Sequence, residues 1–169
     1  MYVSRRAALV LLVGLLAAGT LVFALGASGS SRDGGNDGNG EALLRSTLAP
    51  SSPTDPSFHA IGPGGVAWSL SDSSVRLKTS GELDIRIEGL VITSLGTAGG
   101  VTTVSASLLC GADAQAGPTA TRGTVPLSQA GDARIDARLG LPATCLAPIV
   151  VIHPNGGTAR YIAVSGWKS

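Results

Sequence analysis

Residues 131–157 read GDARIDARLGLPATCLAPIVVIHPNGG, and the first half of that stretch alternates strictly. Ala133, Ile135, Ala137 and Leu139 fall on one side, and Asp132, Arg134, Asp136 and Arg138 on the other. Period two is the pattern of a strand with one dry face and one wet face. Pro142 stops that strand, Cys145 follows, and the apolar run 149–152 predicts a second strand. His153-Pro-Asn-Gly-Gly then supplies turn residues. The stretch therefore predicts two strands, one crosslink and a hairpin, and carries no catalytic motif.

Working outward, residues 82–88 repeat the pattern, with Leu83, Ile85 and Ile87 against Glu82, Asp84, Arg86 and Glu88. Gly89 marks a bend before the apolar residues 90–92. Residues 102–110 form another alternating run. It sets Val104, Ala106, Leu108 and Cys110 inward and leaves Thr103, Ser105 and Ser107 mostly wet. Residues 121–127 contain Pro126, which predicts an edge strand. Residues 66–70 read as the first strand and 75–78 as a weak second after a turn at 71–73. Residues 160–167 pair back onto 149–153 across the Asn155-Gly156-Gly157 turn. Seven or eight short strands without an amphipathic helix predict an all-β domain. The expected architecture is an antiparallel β-sandwich, immunoglobulin-like in outline, with a small closed barrel as runner-up.

The N-terminus has a different character. Arg5 and Arg6 precede residues 7–25, which carry no charge and are rich in Leu, Val and Ala. This is a membrane-targeting pattern whose cations hold the N-terminus inside. The apolar run approaches the length that spans a bilayer, and Ala24 and Gly26 also fit a cleavage after Gly26. Residues 1–26 are therefore expected to be a signal peptide or a membrane anchor forming an apolar helix. Residues 27–57 are rich in Gly, Ser, Asp, Asn and Pro and are expected to be a disordered linker. Within it, 41–48 has some helical character but is too short to hold a helix alone. That leaves a domain over 58–169, 112 residues with one core.

Composition excludes several functions. Lys+Arg number 12 against Asp+Glu 11, a net charge of +1, so there is no electrostatic case for nucleic acid. The two histidines, His59 in the linker and His153 at a turn, form no metal-binding spacing. The Asp- and Gly-rich piece 33–41 lacks the acidic residues a calcium loop needs, with Gly35 at its third position and Leu44 at its twelfth. No nucleophile elbow and no phosphate-cradling loop occur. No metal, cofactor or catalytic residue is predicted. Glu82, Asp84, Glu88, Asp132 and Asp136 read as partners in solvated cross-strand ion pairs. With two cysteines in an exported chain, a Cys110–Cys145 disulfide is expected. It would close a loop of about 36 residues and contribute about 4 kcal/mol in the chain-entropy account.

Residues 101–111 (VTTVSASLLCG), 125–154 (VPLSQAGDARIDARLGLPATCLAPIVVIHP) and 161–166 (YIAVSG) together resemble a group of small secreted actinobacterial proteins with no assigned function. The marks are the cysteine closing the first segment, the GDARI strand, Pro-Ala-x-Cys and the final YIA strand. They span most of 68–167 and leave the linker out. The resemblance implies export, a β-rich domain and a disulfide, and implies no activity. The expected role is a non-enzymatic binding or structural module with an extracellular or cell-envelope partner, touching membrane only through 7–25. Two alternatives stand beside it: a glycan or small-ligand binder using Trp68 and Trp167, and a hydrolase using His153. A Ser and an acid gathered around His153 would favour the last.

Overall fold

The structure, a computed structural model, describes residues 41–111 and 118–166. Every regular element in it is a strand. In chain order these are β1 (Ala42–Ser46), β2 (Leu48–Pro50), β3 (Gly62–Pro63), β4 (Trp68–Ser69) and β5 (Asp72–Lys78). Next come β6 (Glu82–Glu88), β7 (Val91–Ile92), β8 (Thr103–Leu109), β9 (Ala120–Thr121) and β10 (Val125–Pro126). The last four are β11 (Ala133–Arg138), β12 (Ile149–Pro154), β13 (Arg160–Tyr161) and β14 (Ala163–Ser165). Strands β1-β5-β6-β11 form a four-stranded antiparallel sheet. A second sheet runs β10-β8-β12-β14-β2, with β9 also paired to β8. Two small pairs remain: β4 with β7 antiparallel, and β3 with β13 parallel.

The alternating stretches behave as their period requires. β11 lies beside β6 in register, Ile135 opposite Ile85 and Ala137 opposite Leu83. Val75, Leu77, Leu83, Ile85, Ile87 and Ile135 turn inward from this sheet and are buried. They join Val104, Ala106, Leu108, Val150 and Ile152 of the other sheet in one core cluster. Each such aliphatic side chain contributes about 1.5–3 kcal/mol through burial. Two glycines fix the hairpin ends. Gly81 (φ +84°) and Gly131 (φ +88°) sit in the left-handed region, and a Cβ there would collide with the backbone of Leu139 and Leu90 respectively.

Four expectations need correction. Fourteen strands are present among the described residues rather than seven or eight, because several edges are broken into two-residue pieces. The linker ends earlier than residue 57. β1 adds an edge to the four-stranded sheet through Leu44↔Leu77 and Ser46↔Val75, and β2 adds one to the other sheet through Leu48↔Ser165. Residues 41–48 are thus strand rather than nascent helix: pairing with β5 supplies the partner that isolated propensity lacks. The run 66–70 is neither the first strand nor a long one, and Asp72 and Ser73, expected in a turn, lie in β5.

The fourth correction matters most for function. Ser105 and Ser107 are buried, so both faces of β8 are dry. Beneath the second face lies a separate apolar cluster of Phe58, Ile61, Leu109, Val151, Tyr161 and Val164. Phe58 and Ile61 flank a tight turn in which each backbone N–H donates to the other's carbonyl, at 2.9 and 2.7 Å. The two residues between them, His59 (φ +47°) and Ala60 (φ +62°), are both left-handed. The hairpin and β13 cover the face that alternation alone leaves open to water. Residues 1–40, where the apolar helix and most of the linker were expected, lie outside the described residues, as does Trp167.

Candidate functional site

The face of β8 and β12 under this cover carries the one side-chain constellation among the described residues with the form of a nucleophile and its base. His153 is in strand β12, not in a turn, and is fully buried. Its Nδ1 lies 2.6 Å from the carbonyl oxygen of Arg160 on β13. A carbonyl only accepts, so Nδ1 carries the proton and Nε2 is left as an acceptor. Ser107 Oγ lies 2.8 Å from Nε2 and donates to it. Thr121 Oγ1 of β9, 2.8 Å from Ser107 Oγ, completes the chain as donor to the serine. Strand register places these groups together: His153 faces Ser105 across the β8–β12 ladder, and Ser107 faces Thr121 across β8–β9. Burial pushes the His153 imidazole below its ordinary value, partly offset by the Arg160 carbonyl, so the ring is held neutral.

This is the polarity of a serine–histidine pair, with a backbone carbonyl where a triad has its acid. Its accessibility argues the other way. Both Ser107 and His153 have 0% exposure, so a substrate carbonyl has no path to the hydroxyl. Each side-chain polar atom of His153, Ser107 and Thr121 has a hydrogen-bond partner, which is what a buried polar network needs in order to be tolerated. The neighbouring Ser105 hydroxyl is buried without a partner.

Neither Trp68 nor the acidic residues singled out in the sequence offers a ligand site. Trp68 is 6% exposed and belongs to the main core cluster, so its ring is packed rather than offered for stacking. Glu82, Asp84, Glu88, Asp132 and Asp136 all lie on or beside the outer face of the four-stranded sheet. Register sets Asp84 directly opposite Asp136 and Arg86 opposite Arg134. These like-charge oppositions are relieved by ion pairs both along and across the strands. Arg134 reaches Asp84 at 2.9 Å and Asp136 at 2.9 Å, Lys78 meets Glu82 at 2.9 Å, and Arg86 pairs with Glu88. The hydrogen bond to Arg134 holds the Asp136 carboxyl below its usual value, and the same contact raises Arg134. Asp132 instead accepts from the backbone N–H of Gly89 at 3.0 Å and ties two loops. Glu82, Asp84, Glu88 and Asp136 are ion-pair partners on an open sheet face, and the hollow that Glu88 and Asp132 border is a shallow one, unlike the cleft that acid–base chemistry needs.

Cys110 and Cys145 form a disulfide, with Cα atoms 4.9 Å apart and a sequence separation of 35. Among the described residues no group of three or more His, Cys, Asp or Glu could hold a metal ion, and no helix is long and apolar enough to cross a membrane. An apolar hollow of about 200 Å³ opens beside the crosslinked loop, lined by Leu44, Phe58, Ala147, Pro148, Ile149 and Val164. Sequence reasoning missed both this hollow and Ser107 as the partner of His153. The signal for Ser107 was present in residues 102–110, where the second face, Thr103, Ser105, Ser107 and Leu109, carries no charge and ends on a large aliphatic side chain. Comparison with known proteins finds no matching family model, no matching curated protein and no matching solved structure.

Proposed function

We propose that this chain is an exported, non-catalytic module that works outside the cytoplasm as a binding or structural part of the cell envelope. The observation that carries the reading is the Cys110–Cys145 disulfide, because such bonds persist in oxidising compartments and are rare in reducing ones. Arg5, Arg6 and the uncharged run 7–25 support the same direction, either as a cleaved signal or as an anchor. The likeness to small secreted actinobacterial proteins belongs to this reading. So does the finer architecture we favour, a β-sandwich in which the two larger sheets share their core, with short appended pairs that depart from an immunoglobulin pattern.

A binding or structural role is favoured over hydrolysis because the Ser107–His153 pair is sealed, and over ring stacking because Trp68 is packed. The test is the state of the chain recovered from its own cells. The expected result is a protein oxidised at Cys110–Cys145, outside the cytoplasm, beginning at Ala27 or retaining 7–25. Cytoplasmic recovery with both thiols reduced would overturn it. Capture of cell-wall or envelope material on the folded protein then separates binding from a purely structural role.

A further inference from the structure

We infer that the loop 140–148 is a docking surface for the outer face of a lipid bilayer. The inference rests on the anchored form of the reading above, in which residues 7–25 stay in the membrane. The loop reads GLPATCLAP and carries no charged residue; Thr144 is its only polar side chain. Leu146 within it is 68% exposed, more than Leu95 or Val66, the other exposed large hydrophobic residues among those described. A lone exposed leucine needs no explanation. Here it stands on an uncharged loop that is held rigidly. Cys145 is bonded to Cys110, the Leu146 carbonyl accepts from Gly111 N–H at 2.8 Å, and Pro142 and Pro148 restrict either side. A loop fixed in advance loses little conformational freedom when it meets a surface.

Its position selects the occupant. The described chain begins at Glu41, whose carbonyl accepts from Thr79 N–H at 2.9 Å at the tip of the β5–β6 hairpin. β11 ends at the same tip, where Leu139 N–H donates to Gly81 at 2.8 Å, and the loop leaves from there. Leu44 of β1 shares the apolar hollow with Ala147 and Pro148, so entry point and loop lie at one end of the domain. Residues 26–40, between the apolar run and Glu41, number 15. Fully extended they reach at most about 50 Å, so this end can touch the membrane. One leucine among small residues would not hold a free domain on lipid. On a short tether the local concentration is on the order of millimolar, where a weak contact is occupied.

The test uses the full chain reconstituted in phosphatidylcholine vesicles. Flotation with the vesicles after a high-salt wash reads the anchor. Leu146→Trp and Ala143→Trp, both at exposed positions, read the loop through quenching by brominated lipid. Leu95→Trp, on the turn beyond the far end of β6, is the control. The expected result is flotation, with loss of emission and a shift to shorter wavelength for the two loop reporters but not for Leu95→Trp. The quenching should be unchanged by added phosphatidylglycerol or by salt, because the loop is uncharged. Flotation without loop quenching, or equal quenching at all three positions, overturns the docking surface and leaves the anchor standing. Quenching that requires anionic lipid overturns it in favour of charge attraction. Failure to float overturns the anchored reading, and the docking surface falls with it.

Discussion

His153 shows how one buried ring can set an acid limit. It is neutral in the folded chain, held below its ordinary value of 6.5 chiefly by burial. In the unfolded chain it takes up a proton as the pH falls through about that value. The unfolded state therefore binds more protons on the acid side, and stability declines there until the folded ring itself titrates; above the unfolded value the contribution is complete. Thermal unfolding of the oxidised protein should show Tm falling from about pH 7 to about pH 5. His153→Gln should be less stable at neutral pH, with a flatter dependence over that window; a profile parallel to wild type would exclude His153 as the source. Ser107 gives a chemical counterpart. Because its hydroxyl is sealed, the folded protein should resist labelling by a fluorophosphonate, and rapid modification at Ser107 would reopen hydrolysis. Ala60 offers a test of strain. A left-handed alanine costs about 1–2 kcal/mol, more than the roughly 0.4–1 kcal/mol that glycine loses through unfolded-chain entropy. Ala60→Gly should therefore raise Tm slightly, and a clear fall would show that the methyl packs.

Strands were legible where one face of the sheet meets water. β6 and β11 each alternate charge with aliphatic, and the structure buries Leu83, Ile85, Ile87, Ile135 and Leu139 and leaves Ala133 and Ala137 half-buried against the same core. Ile85→Asp and Ile135→Asp should abolish folding, because an unpaired buried carboxylate costs several kcal/mol, comparable with the whole stability of a small domain. Arg134→Ser should change Tm little, since its ion pairs are exposed. Circular dichroism melts of the three variants separate these outcomes. β8 was legible as a strand but not for its surroundings: Ser105 and Ser107 look wet until the 58–61 hairpin and β13 are known to cover them. That cover depends on contacts distant in sequence, such as Tyr161 Oη donating to the Pro56 carbonyl at 2.8 Å. β1 and β2 were lost for a related reason. ALLRS is five residues beside a polar stretch, and only pairing with β5 makes it a strand. The same distance effect hid the candidate site, since Ser107 and His153 are 46 residues apart.

The whole domain is held by links between its sheets as well as within them. Leu48 N–H of β2 donates to Ser73 Oγ of β5 at 2.9 Å, joining the two larger sheets near their edges. Reducing the disulfide should lower Tm without rearranging the core, with a loss of stability of up to about 4 kcal/mol in the chain-entropy account. Calorimetry of oxidised and reduced protein measures this. A chain beginning at Phe58 would lose an edge strand from each sheet, and should be unfolded or far less stable than one beginning at Glu41. The order β12-β14-β2 has a further consequence, for timing. β14, the last strand of the described chain, lies between β12 and one of the first, and Leu48 has no ladder partner until Ser165 arrives. A chain emerging N-terminus first must keep β2 waiting while more than a hundred residues follow. This sheet therefore cannot close piecemeal as the chain emerges, and closure has to await the arrival of Ala163–Ser165.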